Sequence, residues 1–267
     1  MICPFTHTTG MKNILIVGGS SGIGLAIVQH LADSETQITN ISRTPCAVAN
    51  VVNISADVTD IFELHAAINA VERIDALFYC AGFSLAAPVE YAKNTDVKYL
   101  FDVNIIGATE CIKAALPKLQ ESDNPHVILL SSSGGIAPIP FDAFYSASKA
   151  GLFALSAAIR TECPKIKCTA VAVPATQTRF SFERKIYTDC GEYNARLKAA
   201  SDSLIKTEQT GYSADFVAKK IVAILNKKNP PPKVTVGTKN KLMMLTYNIL
   251  PWRLKLYALK KIYKINL

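Results

Sequence analysis

A glycine-rich turn near the start of the chain constrains the fold more than any other feature. Residues 13–18 form an apolar run that breaks into Val-Gly-Gly-Ser-Ser-Gly-Ile-Gly, and apolar residues then recur at helical spacing from Ile23 to Leu31. This order predicts a strand, a tight turn and a helix. Free amides and the positive dipole end of such a helix suit a pyrophosphate. An ordinary glycine-rich turn is the alternative interpretation.

Strand patterns and helical patterns alternate along the rest of the chain. The predicted strands are residues 13–18, 37–41, 51–54, 76–79, 126–130, 167–173 and 233–236, and the predicted later helices are residues 61–71, 97–120, 144–162 and 215–226. Because each crossover helix must pack its apolar stripe on the sheet, this alternation predicts a parallel sheet covered on both faces. We expect an α/β protein with a Rossmann-like, doubly wound sheet in three layers.

Composition excludes several classes of protein. With 267 residues, 49% of them hydrophobic, the chain can bury one large core without disulfides or metal. Its seven cysteines are scattered and form no C-x-x-C pair, so we predict reduced thiols in a cytoplasmic protein and no metal site. No stretch approaches the roughly 20 apolar residues that cross a bilayer, and the N-terminus lacks a secretory signal pattern.

The net charge of +8 comes from one part of the chain. After residue 226 the chain carries ten Lys and Arg and no acidic residue. A nucleic-acid-binding domain would instead need a basic face over the whole domain and a recognisable binding motif. We therefore expect no nucleic-acid partner.

The residues after the second predicted strand bear on which dinucleotide binds. Many dinucleotide enzymes place an acidic residue here to hold the ribose 2′-hydroxyl, whereas this chain has Ile41-Ser42-Arg43-Thr44. The Arg43 guanidinium can pair with a 2′-phosphate, and Ser42 can donate a hydrogen bond to it. We therefore predict NADP(H) as the cofactor; a solvated surface arginine is the alternative.

A second motif, Tyr145-x-x-x-Lys149, lies at the start of the helix predicted for residues 144–162. A spacing of four puts the phenol and the ammonium on one helical face. A free tyrosine has a pKa of about 10, and a nearby cation is expected to lower that of Tyr145 towards the working range. Ser132, after the preceding strand, can bind a substrate oxygen on which charge develops. A chance pair and a polar loop are the alternatives.

These motifs, in this order, resemble the short-chain dehydrogenase/reductase family from Lys12 to about Val236. The resemblance implies a catalytic tetrad. In it Tyr145 protonates the substrate oxygen and Ser132 orients that oxygen. Lys149 holds the ribose and lowers the tyrosine pKa, while Asn104 positions a proton-relay water beside Lys149.

The resemblance also implies most of the cofactor contacts. Asp57-Val58 matches the family's adenine contact, and Ala81-Gly82 matches the end of the loop under the cofactor. The full predicted cofactor-binding set is Gly18, Ser20, Ser21, Gly22, Ile23, Gly24, Ser42, Arg43, Asp57, Val58, Ala81, Gly82, Asn104, Tyr145, Lys149, Pro174, Thr176 and Thr178.

The sequence departs from the family pattern at three places. Val17 stands where the family has threonine, Tyr79-Cys80 replaces an asparagine pair, and Pro174-Ala175 replaces proline-glycine. The first two changes remove polar groups that tie neighbouring loops together. They bear on cofactor affinity and leave the tetrad intact.

Residues 176–210 correspond, by the resemblance, to a mobile lid over the substrate. This segment and the regions near the tetrad are rich in aromatic residues, namely Phe83, Phe141, Phe144, Phe180, Phe182, Tyr187 and Tyr193. They predict an apolar pocket for a lipophilic ketone, aldehyde or alcohol. Packing of the lid on the body is the alternative.

We divide the chain into an N-terminal extension (1–10), a Rossmann-fold domain (11–238) and a basic amphipathic extension (239–267). Pro251 is predicted to start a helix. One face of that helix carries Trp252, Leu256, Leu259 and Tyr263, and another carries Arg253, Lys260 and Lys264. Such a helix can lie on an anionic membrane, dock on the body or contact a second subunit.

The sequence therefore predicts an NADP(H)-dependent oxidoreductase that transfers a hydride between nicotinamide and a carbonyl or alcohol. The expected substrate is a lipophilic ketone or aldehyde of oxoacyl, steroid-like or long-chain type. The rival is a protein without turnover, either an NADP(H) sensor or a membrane-surface scaffold. The resemblance implies a homodimer or homotetramer built on helices near residues 107–119 and 144–162. The expected location is cytoplasmic, with membrane association left open.

Overall fold

The main sheet contains seven parallel strands. The computed structural model describes residues 11–33 and 35–265, so the predicted extension of residues 1–10 lies outside the described part. The strands are β1 (Asn13–Val17), β2 (Gln37–Ile41), β3 (Val51–Ile54), β4 (Ala76–Tyr79), β5 (His126–Leu130), β6 (Lys167–Ala172) and β7 (Lys233–Thr235). Their order is β7-β6-β5-β4-β1-β2-β3. The order reverses between β1 and β4, and ligands bind beyond the carboxyl ends of the strands at such a point.

Helices cover both faces of this sheet. The longer helices of the described chain are α1 (Gly22–Leu31), α2 (Ile61–Asn69), α3 (Asn94–Phe101), α4 (Gly107–Glu121), α5 (Ala143–Glu162), α6 (Asn194–Gln209), α7 (Ala214–Val222), α8 (Thr238–Ile249) and α9 (Trp252–Ile262). Helices α1 and α7 pack on one face, and α2, α4 and α5 pack on the other. The predicted α/β fold with a doubly wound, three-layer, Rossmann-like sheet is confirmed.

Alternate side chains of β1 enter two different cores. Ile14 and Ile16 pack with α1 and α7, whereas Leu15 and Val17 pack with α2, α4 and α5. All four are buried because successive side chains of a strand point to opposite faces of the sheet. Burial on both faces explains why this strand reads as an unbroken apolar run.

The structure differs most from the sequence prediction around residues 97–120. Two helices, α3 and α4, occupy this region, and a π-helical turn, Asp102–Ile106, joins them. The turn buries Asn104, whose side chain bonds the backbone of Phe83. The apolar spacing continues through both helices, so the sequence pattern does not show the interruption.

The lid region has more regular structure than its charged sequence indicates. It contains α6, and two short pairs of strands attach it to the body. These pairs are Leu85–Ala86 with Lys185–Ile186, and Thr176–Gln177 with Tyr212–Ser213. The first pair ties the middle of the lid to the main domain, and the second joins the start of the lid to the residues just after its end.

A buried histidine opens β5. His126 is fully buried, and among the described residues neither of its ring nitrogens has a hydrogen-bond partner. Burial, with smaller contributions from Lys167 and Arg160, lowers the pKa of His126 to about 4. The imidazole is therefore neutral in the folded protein at neutral pH, whereas an unfolded histidine titrates near pH 6.5.

This difference predicts a pH-dependent stability. Between pH 7 and pH 5 the unfolded chain gains a proton at His126 that the folded chain does not, so the free energy of unfolding should fall by about 2 kcal/mol from this group alone. Denaturant unfolding of His126→Leu at both pH values should show a correspondingly smaller loss. The control Val127→Ala, at the next buried position of β5, should lower stability equally at both. An identical pH dependence in His126→Leu and wild type would contradict the assignment.

Candidate active site

A cleft of about 980 Å³ lies at the carboxyl ends of the central strands. It is lined by the glycine turn, by the segments that follow β2, β4, β5 and β6, and by residues of the lid and of α8 and α9. Every residue of the predicted cofactor-binding set lines this cleft except Asn104, which is buried behind it. The topology thus brings together residues that are far apart in the sequence.

The turn between β1 and α1 has no room for side chains at two positions. Gly18 has φ +85°, and a Cβ there would lie 2.7 Å from the backbone nitrogen of Ala81. A Cβ on Gly24 would lie 2.1 Å from the Gly18 carbonyl oxygen. Ser21 precedes α1 and makes no side-chain hydrogen bond to cap it. The amides at the start of α1 can therefore hold a phosphate group beside a backbone that approaches closely.

The end of β2 presents a cationic group with hydroxyls around it. The side chain of Arg43 is 71% exposed, and its Nη1 lies 3.8 Å from Asp57 Oδ2 and 3.5 Å from the Tyr99 hydroxyl. An exposed ion pair of this length is weak, so the guanidinium fork is available to a phosphate.

The hydroxyls near Arg43 are held by one another and by the backbone. Ser42 Oγ donates to the carbonyl of Thr44 at 2.6 Å, so its proton is already used, contrary to the predicted donation to a phosphate. Thr44 Oγ1 lies 3.1 Å from Ser20 Oγ. The sequence prediction did not include Thr44, although it lines the cleft beside Ser20.

The start of α5 is held against the end of β5. Lys149 Nζ donates to the Leu130 carbonyl at 2.9 Å, and Ser131 Oγ donates to the Lys149 carbonyl at 2.6 Å. Ser132 Oγ accepts from the Gly134 amide at 3.0 Å, and the serine lies close enough to the Tyr145 phenol to lower its pKa. The structure thus places Ser132, Tyr145 and Lys149 together in the cleft.

Asn104 lies behind these residues in the π-helical turn. Its Oδ1 accepts from the Phe83 amide at 2.8 Å, and its Nδ2 donates to the Phe83 carbonyl and to Ser148 Oγ, both at 2.9 Å. A Cβ on Gly82 would lie 3.2 Å from Lys149 Nζ and 3.6 Å from Asn104 Oδ1. Asn104 therefore fixes the loop after β4 close to the lysine amine.

Burial governs the protonation of the two titrating groups. Burial raises the pKa of Tyr145 well above its ordinary value, and the hydrogen bond with Ser132 opposes this only in part. Burial lowers the pKa of Lys149 to about 8. The prediction that Lys149 makes Tyr145 more acidic is wrong for this structure. The Lys149 amine lies 5.8 Å from the centre of the Tyr145 ring and bonds the Leu130 carbonyl, and desolvation is the largest influence on the pKa of the phenol.

A buried charged cluster beside the tyrosine was not predicted from the sequence. The Arg184 side chain is 1% exposed; its Nη2 donates to Glu208 Oε1 at 2.8 Å, and its Nε lies 3.5 Å from Asp142 Oδ2. Burial raises the pKa of Asp142 to about 6, although Arg184 opposes the rise. Asp142, Arg184 and Glu208 all act electrostatically on Tyr145. Their distance from one another in the sequence left no local signal.

The other half of the cleft is apolar. Its walls come from the body, from the lid, and from α8 and α9. The apolar lining includes Phe83, Val103, Ile139, Phe180, Leu204, Met243, Met244, Tyr247, Leu259, Ile262 and Tyr263. The C-terminal extension is therefore part of the cleft wall.

The predicted aromatic pocket is only partly formed by the predicted residues. Phe83 and Phe180 line the cleft. Tyr193 packs on Phe141, in a separate cluster, and Phe182 is exposed. Several lid aromatics thus attach the lid to the body, as the alternative interpretation held.

One of the three departures from the family pattern, Tyr79-Cys80, has a structural explanation. The Tyr79 hydroxyl donates to the Val103 carbonyl at 2.5 Å and so ties β4 to the π-helical turn. A new polar tie thus links β4 to a neighbouring segment. Burial raises the pKa of the Cys80 thiol to about 12, so this cysteine in the cleft is not a ready nucleophile. Within residues 11–33 and 35–265, no three His, Cys, Asp or Glu side chains form a cluster suited to a metal ion.

Comparisons with known proteins identify the family. The sequence model of the short chain dehydrogenase family matches residues 12–186. A 3-ketodihydrosphingosine reductase of Bacteroides thetaiotaomicron is 28% identical over 264 residues, which cover 95% of this chain and 98% of the relative. A 3-dehydrosphinganine reductase of Arabidopsis thaliana is 32% identical over 221 residues, covering 76% of this chain and 67% of the relative.

Solved structures agree with the fold. A short-chain dehydrogenase from Streptomyces avermitilis superposes with a TM-score of 0.78 at 24% identity, covering 96% of this chain and 98% of that one. The enzyme ElxO, solved with NADP bound, has a TM-score of 0.69 at 25% identity, covering 85% and 97%. A Burkholderia phymatum enzyme of the family, solved with NAD, has a TM-score of 0.78 at 17% identity, covering 91% and 94%. From the family match and the shared fold, the chain belongs to the short-chain dehydrogenase/reductase family of oxidoreductases.

Proposed function

We propose that this protein is an NADP(H)-dependent reductase of a lipophilic ketone, with Tyr145 as proton donor. The observation that carries the proposal is the pair of hydroxyls, Ser132 and Tyr145, that line the cleft together next to the buried amine of Lys149. The same cleft contains the glycine turn suited to phosphate groups and an apolar wall. A nucleotide end, a proton donor and an apolar end thus share one cavity.

The protonation state of Tyr145 suits reduction. Because burial raises its pKa, the phenol keeps its proton at neutral pH and can act as a general acid. Ser132, which lies beside the same hydroxyl in the cleft, orients the substrate oxygen. As this oxygen gains negative charge it becomes a stronger base than a phenolate, so it takes the phenolic proton. The Lys149 ammonium, with a pKa of about 8, carries positive charge close to the phenolate left behind.

When bound, the nicotinamide supplies the hydride that reduces the carbonyl carbon. The chain's residues contribute position and charge. Gly18 and Gly24 leave space for the pyrophosphate, and Gly82 leaves space beside the lysine amine. Arg43, exposed at the end of β2, would pair with a 2′-phosphate. The NADP-bound ElxO structure supports this choice, whereas the NAD-bound relative shows that the fold alone does not decide it.

The substrate we propose is a long-chain ketone of the 3-ketodihydrosphingosine type. Two relatives carry the names of reductases of this substrate or its synonym. The apolar wall formed by the lid, α8 and α9 suits an alkyl chain, and Arg184 and Glu208, which line the cleft near Tyr145, suit the polar end of the molecule. Aldehydes and steroid-like ketones are the alternatives.

The rival without turnover, a cofactor sensor or scaffold, is less well supported. A sensor has no need for Ser132 and Tyr145 side by side next to Lys149. Homo-oligomerisation and a cytoplasmic location stay predictions. Among the described residues, no helix has the length and hydropathy to cross a bilayer.

Replacing the proton donor tests the mechanism. Tyr145→Phe should lower kcat for ketone reduction by at least about 100-fold, the scale of general acid catalysis, and leave NADPH affinity within about threefold of wild type. The matched control Tyr212→Phe, in the body beside Phe216, should keep full turnover. Steady-state NADPH oxidation and fluorescence titration measure the two quantities. Wild-type turnover in Tyr145→Phe would refute the assignment.

Replacing the arginine after β2 tests the cofactor. Arg43→Ala removes a charge-assisted contact of about 1.5–3 kcal/mol, so kcat/KM for NADPH should fall about 10- to 100-fold while that for NADH stays nearly unchanged. Arg73→Ala, an exposed arginine on another surface, is the control. Equal efficiency with both cofactors in the wild type, or an unaltered preference in Arg43→Ala, would overturn the NADP(H) assignment.

Varying the ketone tests the substrate class. In a series of 2-amino ketones of increasing alkyl length, KM should fall with each added methylene until the apolar wall is filled, because each buried methylene contributes about 0.8 kcal/mol. Activity should be highest with long chains. A KM that does not depend on chain length would exclude a long-chain substrate.

A further inference from the structure

The C-terminal helices α8 and α9 are attached to the catalytic domain by one side. Asn240, Met244, Tyr247 and Leu259 are buried. Ser133, next to the catalytic serine, donates to Asn240 Oδ1 at 3.0 Å. At the other end, Ser203 of α6 donates to the Ile262 carbonyl at 3.0 Å. The sequence left three placements open for this segment: an anionic membrane, the body of the protein or a second subunit. For this side of the two helices, the structure shows docking on the body.

The other side of the two helices exposes large apolar side chains. Nine of the seventeen exposed large apolar residues of the described chain lie here, each between 50% and 76% exposed. They are Leu242, Met243, Leu245, Ile249, Trp252, Leu254, Leu256, Tyr257 and Ile262. We call them the exposed apolar surface. Globular monomers seldom leave so many such side chains together in water unless the surface binds something.

The charges around this surface have one sign. The two helices and the turns at their ends carry seven cations and no acidic residue, namely Lys239, Lys241, Arg253, Lys255, Lys260, Lys261 and Lys264. Among residues 11–33 and 35–265, none of these seven forms an ion pair with an acidic side chain, whereas other lysines and arginines do. Lys255 lies 5.0 Å from the Trp252 ring. Their charge is thus available to an anionic partner.

This combination selects one partner. Apolar side chains flanked by unpaired cations, with tryptophan and tyrosine among them, are suited to the interface of an anionic bilayer. A second copy of the chain would bring seven like charges towards seven, which opposes association. The charge complementarity therefore favours a lipid surface over self-association.

The exposed apolar surface is continuous with the cleft. Met243 and Ile262 each line the cleft and are each half exposed. Met244, Tyr247 and Leu259, on the docked side, continue the apolar wall inwards towards Tyr145. An alkyl chain entering between α8 and α9 would stay in contact with apolar side chains along its path.

We propose that α8 and α9 bind the surface of an anionic membrane and turn the mouth of the cleft towards the lipid, so that a lipophilic ketone enters from the bilayer. Binding to the membrane follows from the exposed apolar surface and its cations alone. The delivery of substrate rests on the proposed reductase function.

The single tryptophan of the chain provides a direct test. Trp252 lies in the exposed apolar surface, so its fluorescence should shift to the blue when the full-length protein binds vesicles of phosphatidylcholine with phosphatidylserine. The shift should be weaker with phosphatidylcholine alone and should decrease at high salt. Co-sedimentation should show the same order. No shift and no sedimentation with either vesicle at low salt would overturn the proposal.

Two double variants, each with a control, separate the contribution of charge to membrane binding from that of apolar contact. Lys260→Glu with Lys261→Glu should weaken binding to anionic vesicles at least 10-fold, since each cation near such a surface raises partitioning about fivefold. The control Arg73→Glu with Lys165→Glu changes the net charge equally on the body and should bind as wild type. Ile249→Ser with Leu256→Ser should weaken binding to both vesicles, whereas Phe62→Ser, also exposed, should not. Equal weakening by test and control pairs would overturn the proposed surface.

The same variants distinguish failure of docking from failure of the reductase. Ile249, Leu256, Lys260 and Lys261 do not line the cleft, so turnover of a short, water-soluble ketone should be unchanged in them, while turnover of a long-chain ketone presented in vesicles should fall. Vesicle binding without turnover of any ketone would support docking and overturn the reductase. Dimerisation in the absence of lipid that is lost in Ile249→Ser with Leu256→Ser would show that a second copy covers this surface and would overturn docking.

Discussion

The contacts between the end of β5 and the start of α5 hold the whole site together. The Leu130 carbonyl binds the Lys149 amine, Ser131 binds the Lys149 carbonyl, and Ser132 lies beside the Tyr145 phenol. Three successive residues of one strand end thus fix the first two turns of one helix. Because parallel strands end at the same edge of the sheet, this contact lies beside the glycine turn after β1. The catalytic and the nucleotide parts of the cleft are therefore consequences of one topology.

Desolvation has opposite effects on the two titrating groups of this site. It favours the neutral form of each, so it raises the pKa of Tyr145 and lowers that of Lys149. With a pKa of about 8, Lys149 is still mostly charged at neutral pH, so a protonated phenol beside this cation is prepared to donate a proton. The C-terminal helices contribute to this dry environment because Met244, Tyr247 and Leu259 close one wall of the cleft. Helices α8 and α9 thus expose apolar side chains on one side and help to keep water from the catalytic residues on the other.

The sequence predicted the parts of the protein that depend on local patterns. The apolar runs, the glycine turn and the four-residue spacing of Tyr145 and Lys149 predicted the parallel strands, their crossover helices and the catalytic helix, since period and turn chemistry are readable from neighbours. The order of the strands in the sheet was not predicted. The pKa direction of Tyr145 was not predictable because it depends on burial by distant segments. The cluster of Asp142, Arg184 and Glu208 was missed for the same reason. The position of α8 beside Ser133 likewise depends on a contact between residues that lie 107 positions apart in the sequence.

The protonation of Tyr145 is the central claim, and it can be measured directly. In the enzyme labelled isotopically at the tyrosine ring carbon that bears the hydroxyl, NMR titration follows each phenol, and the signal missing from Tyr145→Phe identifies the one of interest. The account predicts that this phenol stays protonated beyond pH 10, the ordinary value for tyrosine. Titration of Tyr145 clearly below pH 10 in the enzyme without cofactor would contradict the account.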